Sequence, residues 1–192
     1  MKTYNIAAIP GDGIGTEVIA AGIQVLEALA KRDGGFALRF EHFDWGSNYY
    51  LKHGEMMPAD GLDRLKPFDA IYFGAVGSKE VPDHVSLWGL RLNICQSFDL
   101  NPERKFPSMF EPIHGSALDI AGRGIANPIG TFWTAVMMLE HLGELSAAAR
   151  LMGAIEHVTS SRVFTPDLGG RATTAQVTEA LCTAIEATPG HA

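Results

Sequence analysis

The first nine residues constrain the fold more than any other stretch. Residues 3–9 (TYNIAAI) form a short apolar run that Pro10 and Gly11 cut off, and a helical pattern follows at once. An apolar run bounded in this way is the signature of a strand buried on both faces. Val18, Ile19, Ile23, Leu26 and Leu29 then recur at helical spacing until Gly34-Gly35 stops them. Residues 36–43 (FALRFEHF) alternate as a second strand, with Phe36, Leu38 and Phe40 on one face, and residues 68–78 (FDAIYFGAVGS) supply a third buried run. Strand, helix, strand, helix, strand is the order that builds a parallel sheet, because parallel neighbours need a crossover between them. The fold class expected is α/β, an open sheet flanked by helices.

The rest of the chain adds mostly helices. Val85, Leu87, Trp88, Leu92 and Ile94 suggest an apolar helix face over 85–98. Residues 108–130 read as a strand running into a long ordered loop rich in Gly, Pro and Asn. Residues 131–143 and 145–161 are helical with Gly143 between them, and a last helix starts near Thr173. At 192 residues, 46% hydrophobic and 19% charged, this is a globular chain of one domain's size, not a disordered one. A net charge of -7 disfavours nucleic acid and anionic membranes as partners, since both demand a basic face. Two cysteines, no signal-peptide pattern and no long apolar run lead to the expectation of a soluble, cytoplasmic protein.

Three stretches carry candidate chemistry. In IPGDGIG, residues 9–15, glycines between a strand and a helix allow a backbone to approach a ligand, and free helix N–H groups attract anions. The motif is not a clean GxGxxG, so a tight structural turn and a ligand role stay equally open. In EPIHGSALDIAGRGIANPIG, residues 111–130, His114, Ser116, Asp119 and Asn127 stand among small residues. Such a loop suits a flat heterocycle and a ribose. Asp119 could accept from both ribose hydroxyls, and its charge would repel a 2′-phosphate. A loop that satisfies its own backbone with Asx and Ser turns is the competing reading. TPDLGGRATT, residues 165–174, reads as a turn leading into a helix capped by Thr173 or Thr174.

These stretches, with VPDHVSLWGL and TFWTAVMMLEHLG, resemble the β-decarboxylating dehydrogenases, the isocitrate/isopropylmalate dehydrogenase family. FDWGSNYYLKHGEMMPADGLDRLKPFDAI is most similar to the tartrate dehydrogenase/decarboxylase and D-malate dehydrogenase branch. The resemblance implies the large, nucleotide-binding domain of that fold and an NAD-dependent oxidation of a 2-hydroxy acid, with Mg²⁺ or Mn²⁺ holding the substrate. It also implies cofactor-binding roles for Ile14, near the nicotinamide, and for His114, Gly115, Ser116, Ala117, Asp119, Ile120 and Asn127 along the adenosine. Asp119 favours NAD over NADP. Leu118 stands where the family has proline, which is expected to loosen the loop.

The same resemblance shows a gap. Family members carry a second domain between the SLWG helix and the FEPIHGSA loop, which supplies the catalytic Tyr and Lys, the paired metal-binding aspartates and most substrate arginines. Here SFD runs into LNPERKFPSMFEPIHG, so the chain is expected to be one domain assembled from segments 1–99 and 100–192. No Asp-x-x-x-Asp occurs anywhere. The family's Ile-Arg falls on Ile94-Cys95, with Arg91 one helical turn earlier. The expectation is an NAD-binding remnant that is catalytically defective, with no catalytic and no metal-binding residues. Its rivals are an active enzyme completed by a partner chain and a non-catalytic partner of a full-length homologue. Self-association through the surface the lost domain would cover is the further possibility for partners.

Overall fold

Side chains alternate across β1 (Lys2–Gly11), and that alternation sets the layers. Tyr4, Ile6 and Ala8 enter one apolar cluster, while Ala7 and Ile9 enter another on the opposite face. β1 is parallel to β2 (Phe36–His42) on one side and to β3 (Ala70–Ala75) on the other. β4 (Ser108–Phe110) extends the sheet beyond β3, giving the order β2-β1-β3-β4. The structure is a computed structural model that describes residues 1–98, 101, 103 and 105–187. The join placed between residues 99 and 100 lies outside the described residues.

The helices follow in chain order: α1 (Gly15–Asp33), α2 (Ser47–His53), α3 (Gly61–Leu65), α4 (Asp83–Ser86), α5 (Leu92–Ser97), α6 (Ile129–Leu142), α7 (Leu145–Ser160) and α8 (Thr174–Ala187). α1, α6, α7 and α8 cover the first face of the sheet, where Leu26, Leu29, Phe132, Leu151 and Leu181 pack with Tyr72 and Phe110. α1 can lie close because Gly22 carries no side chain: a Cβ there would come within 2.2 Å of the Tyr72 hydroxyl. That hydroxyl donates to the Thr131 carbonyl at 2.7 Å, and burial holds the phenol well above its ordinary pKa. Phe43, Trp45, Met56, Leu90 and Ile94 cover the second face against Ile71 and Phe73.

One feature departs from the sequence reading. The helical run 83–97 is not one α-helix, because Leu87–Arg91 is wound as a π-helix, with the Leu92 N–H donating to the Leu87 carbonyl. Its buried positions are Ser86, Leu90 and Ile94, spaced by four as the wider winding keeps them aligned. Leu87 and Trp88, expected on the apolar face, are 38% and 58% exposed. The outer edge of β4 is closed locally: the Met109 N–H donates to the Phe98 carbonyl at 3.0 Å. Among the described residues, no helix is long and apolar enough to cross a membrane.

Candidate functional site

The strand order reverses between β1 and β3, and crevices at such points, outside the carboxyl ends of parallel strands, are where α/β sheets bind ligands. Here the first βα turn and the 111–130 loop meet. The Ile14 N–H donates to the Ser116 carbonyl at 2.8 Å. Gly13 makes the approach possible: its φ is +57°, and a Cβ would sit 1.9 Å from the Ser116 oxygen. Beneath this contact Ile14, Val18 and Ala126 form a small apolar cluster with Ala117, Ile120 and Ala121 around it. Ile14, expected at the nicotinamide, is 5% exposed and serves as the floor of the loop.

Acidic groups lock the turn and loop in place. Asp12, 7% exposed, accepts from Ser47 N–H at 2.8 Å, Ser47 Oγ at 2.7 Å and Gly77 N–H at 2.8 Å. Its carboxylate is thus committed to tying three segments together. Glu17, in the first turn of α1, accepts from the Gly122 and Gly124 N–H groups, the latter at 3.1 Å. Neither residue is predicted as a site residue from sequence. An acidic residue in a first helical turn usually signals only the helix dipole.

The remaining loop residues take up different surroundings. His114 donates from Nδ1 to the Gly115 carbonyl at 3.0 Å, leaving Nε2 loosely placed, 3.4 Å from Thr131 Oγ1. A Cβ at Gly115 would meet nothing within 4 Å, so the backbone there is open to a flat ligand. Ala117 has a φ of +41°, a left-handed conformation that costs a non-glycine residue roughly 1 kcal/mol or more. A proline at 118 would push Ala117 toward extended backbone, so Leu118 is compatible with this shape. Asp119 is exposed.

Asn127 donates to Asp167 Oδ2 at 2.9 Å and accepts from the Ile129 N–H at 3.1 Å. This ties the loop to 165–174, read from sequence as only a capped turn. The cap itself is as expected: Thr173 Oγ1 accepts from the Gln176 N–H at 3.1 Å and Gln176 Oε1 accepts from the Thr173 N–H at 2.9 Å, a capping box. Partial burial pushes the Asp167 carboxyl up. Bonds from Thr165, Asn127 and the backbone N–H groups of Asp167 and Leu168 outweigh that, and its pKa is lowered.

Beside His114 and Gly115, over the ends of β3 and β4, lies a cavity of about 310 Å³. Phe73, Val76, Leu87 and Pro112 line it, together with Arg91 and Glu111. The Arg91 guanidinium grips Glu111 with two nitrogens, Nε reaching Oε2 at 3.1 Å and Nη2 reaching Oε1. That bond raises the guanidinium's pKa further. Arg91, one helical turn before the position where the family has arginine, already holds a carboxylate of its own chain. Among the described residues no three His, Cys, Asp or Glu side chains come together in a way that could hold a metal ion.

The chain is similar to known dehydrogenases in both sequence and fold. A probable tartrate dehydrogenase/decarboxylase of Agrobacterium vitis is 38% identical over 352 aligned residues, covering 96% of this chain and 98% of its own. The D-malate dehydrogenase [decarboxylating] of Escherichia coli (strain K12) is 30% identical over 359, covering 96% and 99%. Both alignments are far longer than the 192 residues present here, so each crosses a long gap in this chain. Among solved structures, a β-decarboxylating dehydrogenase from Thermococcus kodakarensis in its apo form superimposes with a TM-score of 0.78, at 20% identity, over 95% of this chain and 96% of that one. The pattern of one family, described as isocitrate/isopropylmalate dehydrogenase, matches residues 5–101 and again 83–181. Those two spans take in both the GDGIG turn and the loop stapled to it, and the chain belongs to the isocitrate/isopropylmalate dehydrogenase family.

Proposed function

We propose that this chain is a nucleotide-binding remnant of a tartrate/D-malate type decarboxylating dehydrogenase, one that binds NAD and does not oxidise a 2-hydroxy acid. The observation that carries the reading is the contact of Gly13 and Ile14 with Ser116, which gathers Ile14, Ser116, Ala117 and Ile120 around one loop. The open backbone at Gly115 and the exposed Asp119 carboxylate suit an adenosine lying along that loop. NAD, when bound, would supply hydride chemistry; these residues would bind and orient it.

The metal of the family does not fit the donors described here. A hard divalent cation needs several oxygen ligands, and no cluster of three candidate side chains exists among the described residues. No step through a metal is therefore derived. The Arg91–Glu111 pair further removes the cation nearest the cavity from substrate binding. Calorimetric titration of the purified chain with NAD is expected to give saturable binding that Asp119→Ala weakens. An assay with D-malate or tartrate and Mn²⁺ is expected to give no NADH; metal-dependent NADH formation by the chain alone would overturn the reading.

A partner role has one observation in its favour. Leu87, Trp88 and Ile113 are exposed, and Leu87 and Ile113 line the same cavity. A full-length homologue or a second copy of the chain could cover them. Co-purification with a full-length homologue that restores turnover would favour the rival in which a partner completes the enzyme.

A further inference from the structure

Resting on the proposed nucleotide site, the geometry points to a narrower ligand class: we infer that the site recognises the adenosine-diphosphate half of NAD and gains almost nothing from the nicotinamide half. A dinucleotide held along Asp119 and Ile120 would extend past His114 and Gly115 into the cavity over the ends of β3 and β4. A nicotinamide needs polar partners there, because its carboxamide loses hydrogen bonds to water on entering.

The cavity's charged side chains, and two of the backbone carbonyls that line it, are engaged by the protein itself. Arg91 and Glu111, the charged lining residues, bind each other through two nitrogens and two oxygens. The Ala75 carbonyl accepts from the Asp12 N–H at 2.8 Å. The Gly115 carbonyl accepts from His114 Nδ1 at 3.0 Å. Just outside the cavity, the Ser116 carbonyl accepts from the Ile14 N–H at 2.8 Å. Ile14, the residue that resemblance brings to the nicotinamide, is buried under the loop against Val18 and Ala126. Of the other lining side chains, Phe73, Val76, Leu87, Pro112 and Ile113 are apolar, and His114 Nε2 stands 3.4 Å from Thr131 Oγ1 at the cavity's edge. The adenosine side differs: Asp119 is exposed, and its carboxylate can accept from both ribose hydroxyls.

The test is calorimetric titration of the intact chain with NAD, ADP-ribose and nicotinamide mononucleotide. NAD and ADP-ribose are expected to bind within about fivefold of each other, and the mononucleotide not at all. NAD binding tighter than ADP-ribose by more than about fivefold, or saturable binding of the mononucleotide, would overturn the inference and leave nucleotide binding standing. Failure of both NAD and ADP-ribose to bind would remove the reading beneath it. Arg91→Gln, which frees Glu111 to accept from a ligand, is expected to shift the NAD to ADP-ribose ratio toward NAD by about threefold or more. Glu111→Gln, which loosens the hold on Arg91 and frees guanidinium donors for a carboxamide, is expected to shift the ratio the same way. An unchanged ratio in a folded Arg91→Gln chain would overturn the assignment of the ion pair as the cause.

Discussion

The 111–130 loop and the helical run 83–97 flank the same cavity, yet they are built on opposite terms. The loop has little regular structure and is braced from four directions: by Ile14, by Glu17, by Thr174, whose hydroxyl donates to the Ala126 carbonyl at 2.7 Å, and by Asp167. The helical run has regular structure and few such ties. It leans on Met56 through Gly89, where a Cβ would come within 2.8 Å of the Met56 side chain, and leaves Leu87 and Trp88 to solvent. Regularity is therefore a poor guide to which part of this cavity is determined. Polar bracing to distant segments is the better one.

Substitutions can break this comparison, starting where the bracing is tightest. Gly13→Val is expected to have the largest effect, on the order of 3 kcal/mol of stability with loss of nucleotide binding, because both φ and the Ser116 oxygen exclude a side chain. Urea denaturation would measure it; a change under about 1 kcal/mol would mean the turn and loop are not locked together. Asp12→Ala should cost about 2 kcal/mol in the same experiment, since three donors lose a charged acceptor.

Glu17→Ala acts on the loop alone. It is expected to weaken NAD binding about tenfold and speed hydrogen exchange at Gly122 and Gly124, while the midpoint of unfolding moves little. Asp167→Asn sharpens the comparison through pH. The folded pKa of Asp167 lies below its unfolded value, so its contribution is present above the unfolded pKa and fades as pH falls through the folded one. Wild type and variant should therefore differ near neutrality and converge in acid; parallel stability curves would show that Asp167 does not hold the loop. Trp88→Ser should change stability by less than about 0.5 kcal/mol, and reduce any self-association seen on size exclusion.

Much of the sheet was legible because burial on both faces leaves continuous apolar runs, as in Ala70–Ala75, and because Gly34 and Gly143 mark helix ends with left-handed backbone. The order β2-β1-β3-β4 was not, since nothing local tells a strand which neighbour it will meet. Leu87 and Trp88 misled the reading of the helical run because a 3.6-residue period was applied where the chain is wound more widely. In the candidate site, the loop residues were legible as donors and acceptors among small residues. The bracing by Asp12 and Glu17 was not, because each acts on segments between 35 and 107 residues away.

The packing of α1 against α8 has a consequence for the growing chain. Val25, Leu26 and Leu29 share one buried cluster with Val177, Leu181 and Ile185, so α1 leaves the ribosome well before the helix that covers it. Until α8 emerges, the apolar side of α1 has lost its final cover, and a nascent chain stalled near residue 170 would display it. Such a chain is a natural client for chaperones that bind exposed apolar segments, long before any nucleotide could protect it.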